Sequence, residues 1–484
     1  MSSRRRGSDT LVGRISAGFG GLFSAAILLA LGLMLGGASR EAYAVNGVLQ
    51  AFAGLVLFTC ALSPVRVEWE RAYQLLIALA GLVLAVTVVQ LIPLPPVLWT
   101  HLPGRVEITR AFDLLGLDRP VLPLSLAPQD TLLGLGRFLP PLAILACASR
   151  IRALEEGSAL RWVIVTVAAA SCLLGLLQVL TGQDSILYVY EVTNWGQPVG
   201  FMANVNHQAC FLLMAMPFLA ATAARLEVRY GMGDADTGLA ILIGLIGLLL
   251  VLGVMVAGSG AGYIFLGPTL LLSVLVYRRR APGLVGLLML GGGCILIAIL
   301  GFITASSPIL VGLGIPQMDW ETELSLGRPG LFARTFEAIL DTFPFGTGLG
   351  SFEGFYPRYE NPDTIPVTFA NHAHNDYLEF TLEYGLLGVI LIIAGLVWVV
   401  WRTREAWQAG EEEGARLARA SSVALGVVLL HSMVDYPLRT GAIACLAALC
   451  CVFLGQMKAK GVEPTSRRRA SRSAPSETAR HVEL

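Results

Sequence analysis

The sequence predicts an all-α polytopic membrane protein with about 12 transmembrane helices and one large loop on the outer side. Three observations predict it: 55% hydrophobic residues against 14% charged, a series of long apolar runs, and clusters of basic residues that fall on one side of those runs. Crossing a bilayer takes about 20 apolar residues as a helix. Unpaired backbone groups are intolerable in hydrocarbon, so runs of this length mean helices.

The candidate spans lie near 18–37, 44–63, 73–93, 131–148, 162–181, 208–224, 237–257, 261–277, 283–304, 378–400, 420–434 and 440–457, the eleventh being the weakest. They divide the chain into an amino-terminal segment (1–17), nine spans (18–304), a large outer loop (305–377), three further spans (378–457) and a tail (458–484). With Arg4, Arg5 and Arg6 in the cytoplasm, Arg150, Arg225, Arg278, Arg402, Arg416 and the tail's Arg467 all return to the same side, as the positive-inside rule asks. Both termini are then cytoplasmic. The loop lies outside and is acidic, and its arginines are Arg328, Arg334 and Arg358.

Other segments read more simply. Glu41-Ala-Tyr-Ala44 also fits a small-residue cleavage site, so a signal peptide is the rival reading of the first span. All eight cysteines sit in or beside apolar runs, which implies no disulfide framework. Leu331 to Phe343 reads as a short amphipathic helix stopped by Pro344. The Ser- and Arg-rich tail reads as disordered chain.

Chemistry concentrates at the outer mouth. Asn371-His-Ala-His-Asn-Asp-Tyr-Leu-Glu379 closes the large loop just before a span. His372 and His374 invite a metal reading, but a third ligand at a diagnostic spacing is missing. A histidine in this position also suits a base working near neutral pH, and His374 is the preferred candidate. Asp376 and Glu379 match an N-terminal capping box for the tenth span. Arg328, Arg334 and Arg358 suit bidentate phosphate binding, with local salt bridges to Glu323, Glu337 or Glu360 as the alternative. Arg137 falls inside the fourth span, where an ionisable residue marks a site or snorkels to the interface. Gly346-Thr-Gly-Leu-Gly350 follows no strand and reads as a tight turn rather than a nucleotide loop. His431 and Asp435 are spaced to share a helix face if the helix persists, and Pro437 ends it.

These ingredients suit a substrate with a lipid tail, an anionic linker and a polar head. An anion transporter could use the same ones.

His372-Ala-His-Asn-Asp-Tyr-Leu-Glu-Phe-Thr-Leu-Glu-Tyr-Gly385, preceded by Pro344-Phe-Gly-Thr-Gly-Leu-Gly-Ser-Phe352, resembles the O-antigen ligase and Wzy-type polysaccharide polymerase superfamily. Gly200-Phe-Met-Ala-Asn-Val-Asn-His207, Ser125-Leu-Ala-Pro-Gln-Asp-Thr131 and His431-Ser-Met-Val-Asp-Tyr-Pro-Leu438 support it, and the likeness runs from about 90 to 457. The resemblance implies a GT-C-like, metal-independent glycosyltransferase of the bacterial inner membrane that needs no cofactor. It implies transfer of a glycan from undecaprenyl diphosphate, at the periplasmic face, to lipid A-core or to another lipid-linked glycan. His374 with Asn375 matches the family's essential histidine, and Arg328, with Arg334 nearby, its loop arginine. Arg137, Asn206, His207, His372, Glu379, Asp435 and Arg439 are the further candidates for substrate binding. Gly260 stands where many members carry an arginine, so Arg137 or Arg439 would have to supply that charge. The partners expected are therefore the two lipid-linked substrates and the bilayer, with no nucleic acid. A flippase or exporter of lipid-linked glycan is the alternative. The spans argue against it, holding few ionisable residues beyond Arg137 and Glu383.

Overall fold

A computed structural model describes residues 11–40, 43–63, 69–151, 154–230, 237–278, 328–360, 370–410 and 413–458. The expected ninth span, the first part of the outer loop (305–327) and the tail beyond 458 lie outside them. Helices α1 (Leu11–Leu35), α2 (Tyr43–Leu62) and α3 (Arg71–Gln90) come first. A hairpin follows, in which β1 (Pro93–Leu94) and β2 (Leu122–Pro123) pair antiparallel around α4 (Pro96–Trp99) and α5 (Val106–Leu115). Then come α6 (Pro128–Arg137), α7 (Leu139–Ala148), α8 (Leu154–Thr181), α9 (Val205–Tyr230), α10 (Thr237–Val256) and α11 (Gly260–Arg278). The outer segment contributes α12 (Arg328–Thr342) and the single turn α13 (Phe352–Phe355). The chain ends in α14 (Asp376–Gln408), α15 (Glu413–His431) and α16 (Gly441–Gly455).

The protein is all-α and polytopic. Among the described residues, eight helical segments are long and apolar enough to cross a membrane, and Gly21–Leu35 and Gly441–Gly455 are shorter apolar helices. The expected fourth span is two helices meeting at Phe138. Pro140 and Pro141 supply no backbone N–H, so the ladder restarts there. The expected eleventh span is the polar-ended α15, whose Arg416 and Arg419 are buried. Arg419 donates to the carbonyls of Ala406, Ala409 and Gly410, which explains how a helix with such charges packs inside.

α9 forms the centre, with 78% of its apolar window buried, and packs on α8, α10, α11 and α15. By contrast, α3 and α10 bury only 17% of theirs and turn leucines and valines outward. That outward face suits lipid. Above the bundle, α12 and α13 fasten to α14 through Ile339, Phe352, Phe355 and Leu382. α12 begins three residues before the expected Leu331 and ends just before the expected Phe343.

One irregularity in α14 positions the strap and the residues around it. Gly385 breaks the helix at φ 57°, ψ −138°, a conformation that side chains with a Cβ avoid. The break frees carbonyls of the preceding turn, and the 344–350 strap takes them. Thr347 N–H donates to Leu382 at 2.9 Å, Gly348 N–H to Glu383 at 3.0 Å, and Leu386 N–H returns to Pro344 at 2.9 Å. Gln90 of α3 joins, donating to the Glu383 carbonyl and accepting from Leu349 N–H. Gly348, at φ 99°, passes so close to Ser125 that a Cβ would lie 2.2 Å from its Oγ. The glycine-rich segment is therefore the tight turn expected. It is a strap threaded between α14 and the 125–131 segment.

Gly385→Ala should lower stability by about 2 kcal/mol or more, combining forced backbone strain with a Cβ placed 2.1 Å from the Pro344 carbonyl. Thermal unfolding in detergent checks this, and an unchanged midpoint would contradict the strap's role.

Candidate functional site

Asp376, Glu379 and Glu383 lie at i, i+3 and i+7 on one face of α14, all buried. Residues at these spacings stack on one side of a helix. Arg439, in the 3-10 turn Pro437–Arg439 before α16, reaches all three: 2.8 Å to Glu383, 3.4 Å to Glu379 and 3.6 Å to Asp376. Each carboxylate also accepts a further hydrogen bond: Asp376 from Ser432, Glu379 from Ala373 N–H and Glu383 from Gly350 N–H. The expected capping box is thus not formed, because Arg439 turns both acids inward. Asn375 caps the helix, its Oδ1 accepting from Tyr377 and Leu378 N–H and its amide donating to Met433.

The two histidines turn to different carboxylates. His372 Nδ1 lies 2.7 Å from Glu379 Oε1, and His374 Nδ1 lies 3.1 Å from Asp435 Oδ1. Among the described non-glycine residues, His374 is alone in having positive φ, at 48°. A backbone held in that region marks a place where the surroundings dictate geometry. Tyr436 stands between the rings, 4.2 Å from His372 and 4.9 Å from His374, centre to centre. Asn371 donates to the Tyr436 hydroxyl at 3.2 Å.

Asp435 lies in the turn after α15. Burial opposes its charge, but the hydrogen bond from His374 and nearby cationic groups, Arg328 among them, outweigh it. They hold its carboxyl well below the usual carboxylate range. An ionised Asp435 only accepts, so Nδ1 of His374 donates to it.

A cavity of about 580 Å³ opens beside this cluster, between α2, α6, α7 and α16 and beneath the strap. Its polar lining includes Arg40, Gln50, Arg137, Asn371, His372 and Arg439, with Leu49, Phe138 and Ala444 as apolar wall. Arg137 ends α6 at the break, so its head reaches the cavity. Arg439 borders the cavity too, though its guanidinium is taken up by the three carboxylates. His374 and Arg328 do not line it.

The other candidates are spread around the cluster. Arg328 begins α12, and its charge acts on Asp435 and His431. Arg334 lies near the Tyr356 hydroxyl and its charge acts on that group, and Arg358 sits 4.9 Å over the Phe355 ring. Asn206 accepts from Ser259 at 2.7 Å and so ties the start of α9 to the turn before Gly260. His207 is fully buried behind Tyr436, 4.0 Å from Asp435. His431 ends α15, and its ring faces Phe265 rather than sharing a helix face with Asp435. Sequence reasoning missed Tyr436, Gln50 and Arg40, and it read Asp376 as a cap. The three-carboxylate spacing was the available signal, since buried acids on one helix face demand a cation.

Residues 245–393 match the family model described as O-antigen ligase (Wzy_C). Over that stretch the chain is O-antigen ligase-like, and the match supports ligase- or polymerase-type glycan transfer in general. It takes in Arg328, His372, His374 and Glu379, whereas Arg137, His207, Asp435 and Arg439 lie beyond it. No curated protein matches the chain.

Arg439→Met should cost about 3–5 kcal/mol, because it strands buried carboxylates without their counter-charge. Detergent melting would register this, and a variant as stable as wild type would show that the carboxylates do not depend on Arg439.

Asp435 gives a pH signature. Its folded-state pKa is depressed, so its stabilisation is complete above the ordinary value of 3.8 and fades as pH falls below that. Asp435→Asn should melt below wild type at neutral pH, with the gap closing as pH drops below about 4. A gap independent of pH would contradict the charged pairing.

Proposed function

We propose that this protein is a membrane glycosyltransferase that moves a glycan from an undecaprenyl-diphosphate carrier to an acceptor hydroxyl at the periplasmic face. The observation that carries the reading is the His374–Asp435 pair. It is an imidazole oriented by a buried carboxylate, held in a constrained backbone, at the mouth of a bundle whose O-antigen ligase-like stretch includes it. The family match supports the reaction class. The substrates and the face of the membrane are part of the proposal.

In this reading the acceptor hydroxyl gives its proton to Nε2 of His374 as its oxygen attacks the anomeric carbon. The bond from that carbon to the diphosphate breaks, and charge builds on the leaving phosphate. Arg328 takes that charge, with Arg334 and the cavity arginine Arg137 as further cationic groups near the path. Fixed positive charge in a site with little water stabilises a developing anion strongly. The diphosphate is already a good leaving group, so alignment and charge neutralisation do most of the work. His372, Glu379, Asn206, His207 and Arg439 act as supports in this scheme. Glu379 and Arg439 hold His372 at the cavity edge, and His207 backs Asp435 and Tyr436. Asn375 sets the position of His374 by capping the helix that follows it. Acceptors would be lipid A-core for a ligase or a second lipid-linked glycan for a polymerase.

His374→Ala should lower transfer of a lipid-linked glycan by about 10²–10⁴-fold, the usual reach of a general base, while the purified variant keeps its melting temperature. Asp435→Asn should lose less. Undiminished product from His374→Ala would overturn the base assignment.

A further inference from the structure

The outer hairpin between α3 and α6 buries little of its own apolar surface. Its interior is filled by two residues. Trp99 is fully buried and donates to the Pro120 carbonyl at 2.8 Å, and Arg105 is 3% exposed and donates to the carbonyls of Pro123 and Leu124 at 2.6 Å each. Together with the β1–β2 pairing, these fix the hairpin's shape without using its aliphatic side chains. α5 has no buried residue at all. Phe112 turns toward Trp99, with ring centres 6.2 Å apart. Leu114 and Leu115 remain 76% and 70% exposed, and Val97, Leu98, Leu117 and Val121 are each more than half exposed.

Such a density of bare aliphatic groups on one small unit is costly in water. The hairpin does not begin in water, however. It continues directly from α3, whose last turns expose Val88 and Val89, and Ile92 carries that surface into the hairpin. Asp113, opposite Leu115 on the α5 wheel, pairs with Arg119 at 2.6 Å. The side of α5 that carries Leu115, Ile108 and Phe112 is thus distinct from the side that carries Asp113 and Arg110. An amphipathic helix with this division, joined to a membrane span, lies in the interface plane.

We infer that the hairpin 92–121 docks on the outer leaflet of the bilayer, with Leu115 and Leu117 in the acyl-chain boundary and the Asp113–Arg119 pair toward water. The placement has a consequence for the cavity. Leu126 N–H donates to the Thr347 carbonyl and Thr131 Oγ1 to the Leu349 carbonyl, so the segment leaving the hairpin is bonded to the strap that roofs the cavity. Docking therefore fixes the height of that roof above the lipid. The inference stands independently of the transfer chemistry.

The test uses the full chain in liposomes, with an environment-sensitive NBD label on Leu115→Cys or Asp113→Cys and the labelled unsubstituted protein subtracted as background. We expect Leu115→Cys to be quenched several-fold more by a shallow doxyl-lipid than by aqueous iodide, and Asp113→Cys to show the reverse. Equal iodide quenching at the two positions would overturn the inference. Protection of position 115 from both quenchers would also overturn it, since protein rather than lipid would then cover the face.

Discussion

Arg439 carries its charge into a space already held by three carboxylates, and most of the outer architecture depends on that neutralisation. Removed from water, Asp376, Glu379 and Glu383 would each face a heavy desolvation cost alone. Around one guanidinium they become anchors. Glu379 reaches on to His372 and Ala373, Asp376 to Ser432, and Glu383 to the strap at Gly350. The histidine segment, the turn after α15 and the cavity roof are thereby fixed to one helix face. The helix break at Gly385 completes the arrangement, since the freed carbonyls hold the strap where the carboxylates need it.

Two imidazole–carboxylate pairs lie on either side of Tyr436, and they face different surroundings. His372 borders the cavity with Arg40 and Arg137, whereas His374 lies with Asp435 within reach of Arg328's charge. The apolar bundle beneath supplies the address. Its apolar helices leave the histidines and the carboxylate cluster gathered at one end. The bilayer-facing hairpin extends the same logic to the rim of the cavity.

Much of the fold was legible because hydrocarbon leaves a chain few choices. Long apolar runs became helices, and Pro140 and Pro141 marked a break in the fourth that the run alone concealed. The histidine pair announced itself by sitting between a polar loop and a span. What stayed hidden was pairing across the sequence. The spacing of Asp376, Glu379 and Glu383 called for a cation, but nothing local to them named Arg439, which lies far along the chain. Tyr436 could not be singled out because its place comes from the three histidine rings packed around it. Gly385, inside an apolar span, gave no sign that it would break the helix until the strap's donors were placed beside it.

The most direct measurement of the central claim is the location of carrier-linked glycan in native membranes carrying His374→Ala, read with a membrane-impermeant glycan-modifying reagent on intact cells lacking their outer barrier. If this chain performs transfer at the outer face, carrier-linked glycan accumulates there and the reagent modifies it. Glycan that accumulates but stays protected until the membrane is opened would contradict the account, because the blocked step would then be translocation.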